Sequence, residues 1–148
     1  MNTLILKDKV QNIESYISHI DHNSNDKSNF TTDNLKINGS KRIITENEST
    51  KKVILKNKEI VKVKYLEHLK NNFIKSKEFY YNNNSLVCIK LTQILPNKHN
   101  QSVLYQRVIY IDDEKLISDS DASNSNISSN DLVTLGVNYL KKEYNNFL

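Results

Sequence analysis

The chain has 148 residues, enough for one domain that buries about two thirds of its unfolded surface without disulfide staples. Its charge of +4 (21 basic against 17 acidic residues) is mild, and all the basic residues except Arg42 and Arg107 are Lys, which suits bidentate phosphate recognition less well than Arg. One cysteine excludes an internal disulfide framework and any multi-cysteine zinc site, and two glycines exclude every glycine-rich phosphate loop.

In chain order, Leu6, Val10, Ile13, Ile17 and Ile20 recur at helical spacing, which predicts an amphipathic helix over 4–21. The polar stretch "DHNSNDKSNFTTDN" follows. Asn38 to Ser40, "NGS", then carry the Asn-Gly signal of a tight reversal between "LKI" and "KRIIT", which predicts a small first hairpin.

Three further segments align without a gap: "VILKNKEIV" from Val53, "FYYNNNSLV" from Phe79 and "IYIDDEKLI" from Ile109. Each has three apolar or aromatic residues, four polar ones and two aliphatic ones, and the starts are 26 and 30 residues apart. Aromatic and β-branched residues favour a pleated strand, while Asn tolerates the left-handed backbone of a reversal. The pattern predicts three hairpins of one antiparallel meander, with Val61, Val87 and Ile117 buried on one face.

The tract "SDSDASNSNISSND", 118–130 and Asp131 beyond it, has linker composition, and Asn130 or Asp131 is expected to cap a last helix over 131–147 with Val133, Val137, Leu140 and Tyr144 on one side. The expected architecture is a single α+β domain, 1–148. Its antiparallel meander of six to eight strands, hairpins over 33–117, is packed by an N-terminal and a C-terminal helix.

The stretch "DKVQNIESYISHID" followed by these hairpins resembles a loose group of small bacterial proteins of uncharacterised function, often exported or lipid-anchored. In them a KVxxIExxIxxID-like helix precedes aromatic-Tyr-x-Asp-x-Gly-x-Leu-Ile hairpins. The resemblance spans residues 8–117, and Lys58, Asn84 and Glu114 stand where the group has Gly. It implies a hairpin sheet and a binding role, with no catalytic residue to carry over.

Residue by residue, chemistry finds little support. His19 and His22 have the i, i+3 spacing of a metal pair but lack a third ligand in sequence, and His68 and His99 lie in connections. Cys88 reads as a small hydrophobe under a helix or a half-exposed passive thiol, sharing a face with Leu86 and Lys90 and opposite Val87, Ile89 and Leu91. Asp119, Asp121, Ser123 and Ser125 match positions 1, 3, 5 and 7 of a calcium loop, which then fails at Asn124 and Asn130.

The main electrostatic feature is residues 51–77, with nine lysines against Glu59 and Glu67. Lys56, Lys58, Lys62, Lys64 and Lys77 are the candidate electrostatic binding face, with Lys62 and Lys64 on the wet side of a half-buried strand. The expectation is a non-enzymatic protein-interaction module, with an immunity-type or accessory factor as its suggested form, and with no cofactor, a protein partner and an open oligomeric state. The alternatives are an exported envelope protein whose leader was removed and a weak, sequence-independent nucleic-acid binder. No stretch approaches the roughly 20 apolar residues of a membrane span, and the chain as given reads as cytoplasmic, with the cell envelope as its alternative.

Overall fold

A computed structural model of the chain describes residues 3–23, 36–38, 41–46, 49–69, 72–96, 101–124 and 126–146. Helix α1 is Thr3–Asn23 and helix α2 is Ser129–Asn146. Between them run β1 (Lys36–Asn38), β2 (Lys41–Glu46), β3 (Ser49–Lys56), β4 (Glu59–His68), β5 (Ile74–Asn82), β6 (Ser85–Pro96), β7 (Gln101–Asp112) and β8 (Lys115–Asp119). All pair antiparallel with their sequence neighbours in one sheet of order β1 to β8, the α+β meander expected from the repeats. The turn residues of the first small hairpin lie outside the described residues.

The three aligned segments fold as one repeated module. Each reverses through two residues of positive φ: Asn57 and Lys58 (52° and 68°), Asn83 and Asn84 (51° and 64°), Asp113 and Glu114 (51° and 65°). Two consecutive positive φ angles define the reversal whose twist matches that of the flanking strands. The ladders then slip by one residue in the same place each time, leaving Val61, Val87 and Ile117 as the extra residue of a β-bulge.

The bulges correct the expected faces. Leu86 and Ile89 lie in one core cluster, while Val87 and Cys88 pack in the other. The extra residue breaks the alternation that would have put Leu86 with Cys88. Val61 is buried, but Val87 and Ile117 are only half-buried, so the three equivalent positions differ in burial.

The two clusters lie on opposite faces of the sheet, and each has its own helix. Ile17 and Ile20 of α1, with Ile13 and Tyr16 beside them, pack on Ile54, Val61, Tyr80 and Cys88. Leu132 and Leu140 of α2 pack on Val53, Val63, Phe79, Tyr81, Ile89, Ile109 and Ile111. Thus "FYY" is divided, Phe79 and Tyr81 going under α2 and Tyr80 under α1. Tyr65, Phe79 and Tyr139 form an aromatic trio, with Phe79 and Tyr139 5.2 Å apart and nearly perpendicular.

The buried line of α2 runs through Leu132, Gly136, Leu140 and Glu143, whereas Val133 and Val137, expected to line it, are half-buried. Gly136 sets this rotation: a Cβ there would stand 2.8 Å from Leu86 Cδ2 and 2.9 Å from Phe79 Cδ1, so the helix backbone itself touches the sheet's side chains. The cap also differs from expectation. Ser128 Oγ accepts the Asp131 N–H at 3.1 Å, with Asp131 in the first turn, a Ser-x-x-Asp start. Among the described residues no helix is long and apolar enough to cross a membrane.

Candidate interaction surface

The five lysines expected to form one binding face are distributed over three places. Lys56 and Lys58 are exposed at the β3–β4 tip, and Lys77 is half-buried. Lys77 pairs with Tyr65, which packs under α2, so it belongs to the α2 side. Lys62 and Lys64 are buried, 1% and 6% exposed. The face expected to be wet is a second interior because α1 covers it.

Lys62 closes that interior. Its Nζ is 2.8 Å from Asp21 Oδ1 and 2.9 Å from Glu78 Oε2, and 4.8 Å from the centre of the Tyr80 ring. The Tyr80 hydroxyl is 2.9 Å from both Asp21 Oδ2 and Glu78 Oε2. Burial pushes the Glu78 carboxyl up, but Lys62 and Lys64 outweigh it and hold the group below the usual carboxylate range. Burial, with Glu78 and Asp21 adding to it, pushes the Tyr80 phenol far above its ordinary value, so this hydroxyl stays protonated. The cluster anchors the end of α1; a phenol shifted upward is the opposite of an activated nucleophile.

At the other end of the sheet, the expected linker is tied by an ion pair. Arg107 donates from Nε to Asp119 Oδ1 at 2.9 Å and from Nη2 to Oδ2 at 2.6 Å, and both side chains are 1% exposed. Its Nη1 donates to the Ile127 carbonyl at 3.0 Å. Asp119 also accepts the Asp121 N–H at 2.9 Å, and the Tyr105 hydroxyl donates to Asp121 Oδ2 at 2.6 Å. Hydrogen bonds from Arg107 hold the Asp119 carboxyl below its ordinary range. The aspartates that mimic a calcium loop are therefore used otherwise, Asp119 by an arginine and a backbone N–H and Asp121 by the Tyr105 hydroxyl.

The remaining candidate groups stay apart. Cys88 is buried beneath α1, and burial pushes its thiol up to about 12, which keeps it unreactive near neutral pH. His19 and His22 are both exposed, His19 Nε2 lying 2.9 Å from Asn23 Nδ2. His99 lies outside the described residues. Among the described residues no three His, Cys, Asp or Glu side chains are grouped to hold a metal ion.

Among the described residues, part of one sheet edge has no strand beside it, a feature that sequence reasoning did not single out. Strand β7 runs from Gln101 to Asp112, but β8 pairs only with residues 109–112 of it. One step beyond, Ser120 N–H donates to the Val108 carbonyl at 3.0 Å and Val108 N–H donates to Ser120 Oγ at 2.8 Å. By alternation, Gln106 next turns its backbone groups to the same side. Residues 101–106 have no strand partner on that side among the described residues. Val103 and Leu104 there are 59% and 52% exposed, and Leu104 is the extra residue of another bulge. "QSVLYQ" carries no charge in a chain that is 26% charged. The signal in the sequence was that absence, a neutral run with strand-forming residues bounded by Arg107.

A second opening is a cleft of about 360 Å³ between α2 and the tips of the β5–β6 and β7–β8 hairpins, floored by Leu86, Ile111 and Val137 and rimmed by Asn84, Glu114 and Asn138. Its tip is held by Tyr144, whose hydroxyl accepts the Ile60 N–H at 3.1 Å and donates to Asn84 Oδ1.

No protein-family model, no curated protein and no solved structure matches the chain.

Proposed function

We propose that the protein is a non-catalytic protein-interaction module that receives a partner's extended strand along residues 101–106 of β7. The observation that carries this reading is an edge without charge and without a strand partner among the described residues, guarded only by the bulge at Leu104. Natural sheets blunt their edges with Lys, Pro, bulges or covering loops, because open N–H and C=O groups recruit other strands. Here the neighbouring residues 107–108 are covered by Ser120 and clamped by Asp119, while 101–106 combine a backbone side with no strand partner among the described residues, exposed Val103 and Leu104, and no charge. A strand added there gains main-chain hydrogen bonds plus two apolar contacts.

The other groups support the same reading. The thiol is buried, the ionised side chains under α1 are paired with one another, and the candidate basic face is divided between a hairpin tip, the α1 interior and the α2 side. That division takes away the continuous basic groove a nucleic-acid reading needs.

Site-directed photo-crosslinking tests the proposal. A photoreactive amino acid at Leu104 should form protein adducts in concentrated protein or in cell extract, and the same group at exposed Lys142 of α2 should not. Equal labelling at both positions, or none at Leu104, would overturn the reading.

A further inference from the structure

The identity of that strand follows from the chemistry of the edge, if the edge-pairing reading holds. We propose that the occupant is the same β7 segment of a second copy, the two strands running antiparallel about a two-fold axis within residues 102–106.

A two-fold contact places a patch against itself, so any charge near the axis faces its own twin at close range. Strand edges rich in lysine are protected from self-pairing for this reason. In this chain the lysines crowd β3 and β4, while residues 101–106 are without charge. Of the charged side chains described beside it, Arg107 is neutralised by Asp119 with both side chains 1% exposed, and the Asp121 carboxylate is held by the Tyr105 hydroxyl at 2.6 Å. Residues 101–106 thus bring no charge of their own against a second copy although each chain carries +4. A foreign partner of a basic protein would be selected and steered by acidic groups, and this edge offers nothing for them to recognise.

The side chains are also self-complementary. Near the axis Val103 and Leu104, 59% and 52% exposed, meet the same pair of the second copy and leave water together. Gln106 and Ser102, both polar and uncharged, carry donors as well as acceptors and satisfy one another in either register. Pairing joins two eight-stranded meanders into one continuous sheet and removes the open part of both edges. The contact is small, so dissociation constants from micromolar to fractions of a millimolar are expected, on the order of weak transient interfaces.

Sedimentation velocity over a concentration series provides the test, with Leu104→Lys and Leu104→Glu as charge variants. The protein should shift from monomer to dimer as concentration rises. Each variant alone should stay monomeric with unchanged circular dichroism, and an equimolar mixture of the two should regain the dimer, since Lys then faces Glu. Recovery in the mixture excludes misfolding as the cause of the loss. A monomer at every concentration, or variants that dimerise as well as the parent protein, would overturn the proposal. If a Leu104 crosslink to a different protein were found beside a strictly monomeric chain, strand capture would stand and self-pairing alone would fall.

Discussion

Lys58 and Glu114 each hold a φ near 65°, a backbone region that costs a residue with a Cβ about 1 kcal/mol and costs Gly almost nothing. Lys58→Gly and Glu114→Gly are expected to raise the unfolding free energy by up to about 1 kcal/mol each, less the greater flexibility Gly gives the unfolded chain. Equilibrium urea unfolding measures this, and a lowered midpoint in both variants would contradict the turn assignment. The sequence made these positions legible because the reversal is local. It did not make Lys62 legible, because its partner Asp21 is 41 residues away and no spacing rule links them. Asp119 and Glu78 carry the acid sensitivity. Both have folded pKa values depressed by cationic neighbours, so their contribution is fully present above their unfolded values of about 3.9 and 4.3 and is lost as pH falls through the folded ones. The denaturant midpoint should hold steady down to about pH 5 and decline below about pH 4; a midpoint that rises on acidification would be inconsistent with these pairs. Arg107→Leu should cost about 3–5 kcal/mol by stranding a buried carboxylate, and adding Asp119→Leu should restore much of the loss.

At the scale of the elements, Gly136 decides how α2 sits. Ala is the better helix former by about 1 kcal/mol, yet Gly136→Ala would press a methyl into Phe79, whose ring is fully buried and cannot swing away. The expected net effect is a destabilisation of about 1–2 kcal/mol, with loosening of the bond from the Tyr81 hydroxyl to the Gly136 carbonyl, now 2.6 Å. A variant as stable as the parent would mean that α2 can move off the sheet at little cost. The strands and both helices could be read from alternation, helical spacing and turn residues. Their faces could not, since a single bulge residue exchanges the sides of Leu86 and Val87 while leaving the local composition unchanged. The start of α2 was displaced from its expected cap by Ser128, three residues before Asp131 in a run where five of the positions 118–129 are also Ser.

Across the whole molecule, two helices on opposite faces turn both sides of the central strands β3 to β7 into interior, which takes those faces away from partners and leaves the end of β7 and the hairpin tips among the surfaces at solvent. The sequence suggested a wet lysine face because a meander with helices on one side would have had one; the second helix removes it. The open end of β7 was invisible for a related reason, as nothing in a strand's own residues says how far its neighbour extends. The length of β8, five residues beside the twelve of β7, sets that opening. Amide hydrogen exchange tests the account most directly. In dilute protein the Gln106 amide should exchange rapidly while the amides of Ile109 and Ile111, in the paired part of the same strand, exchange slowly; at high protein concentration, protection should rise at residues 102–106 and nowhere else. Slow exchange at Gln106 in the dilute monomer, or concentration-dependent protection appearing at the Lys56–Lys58 tip instead, would contradict it.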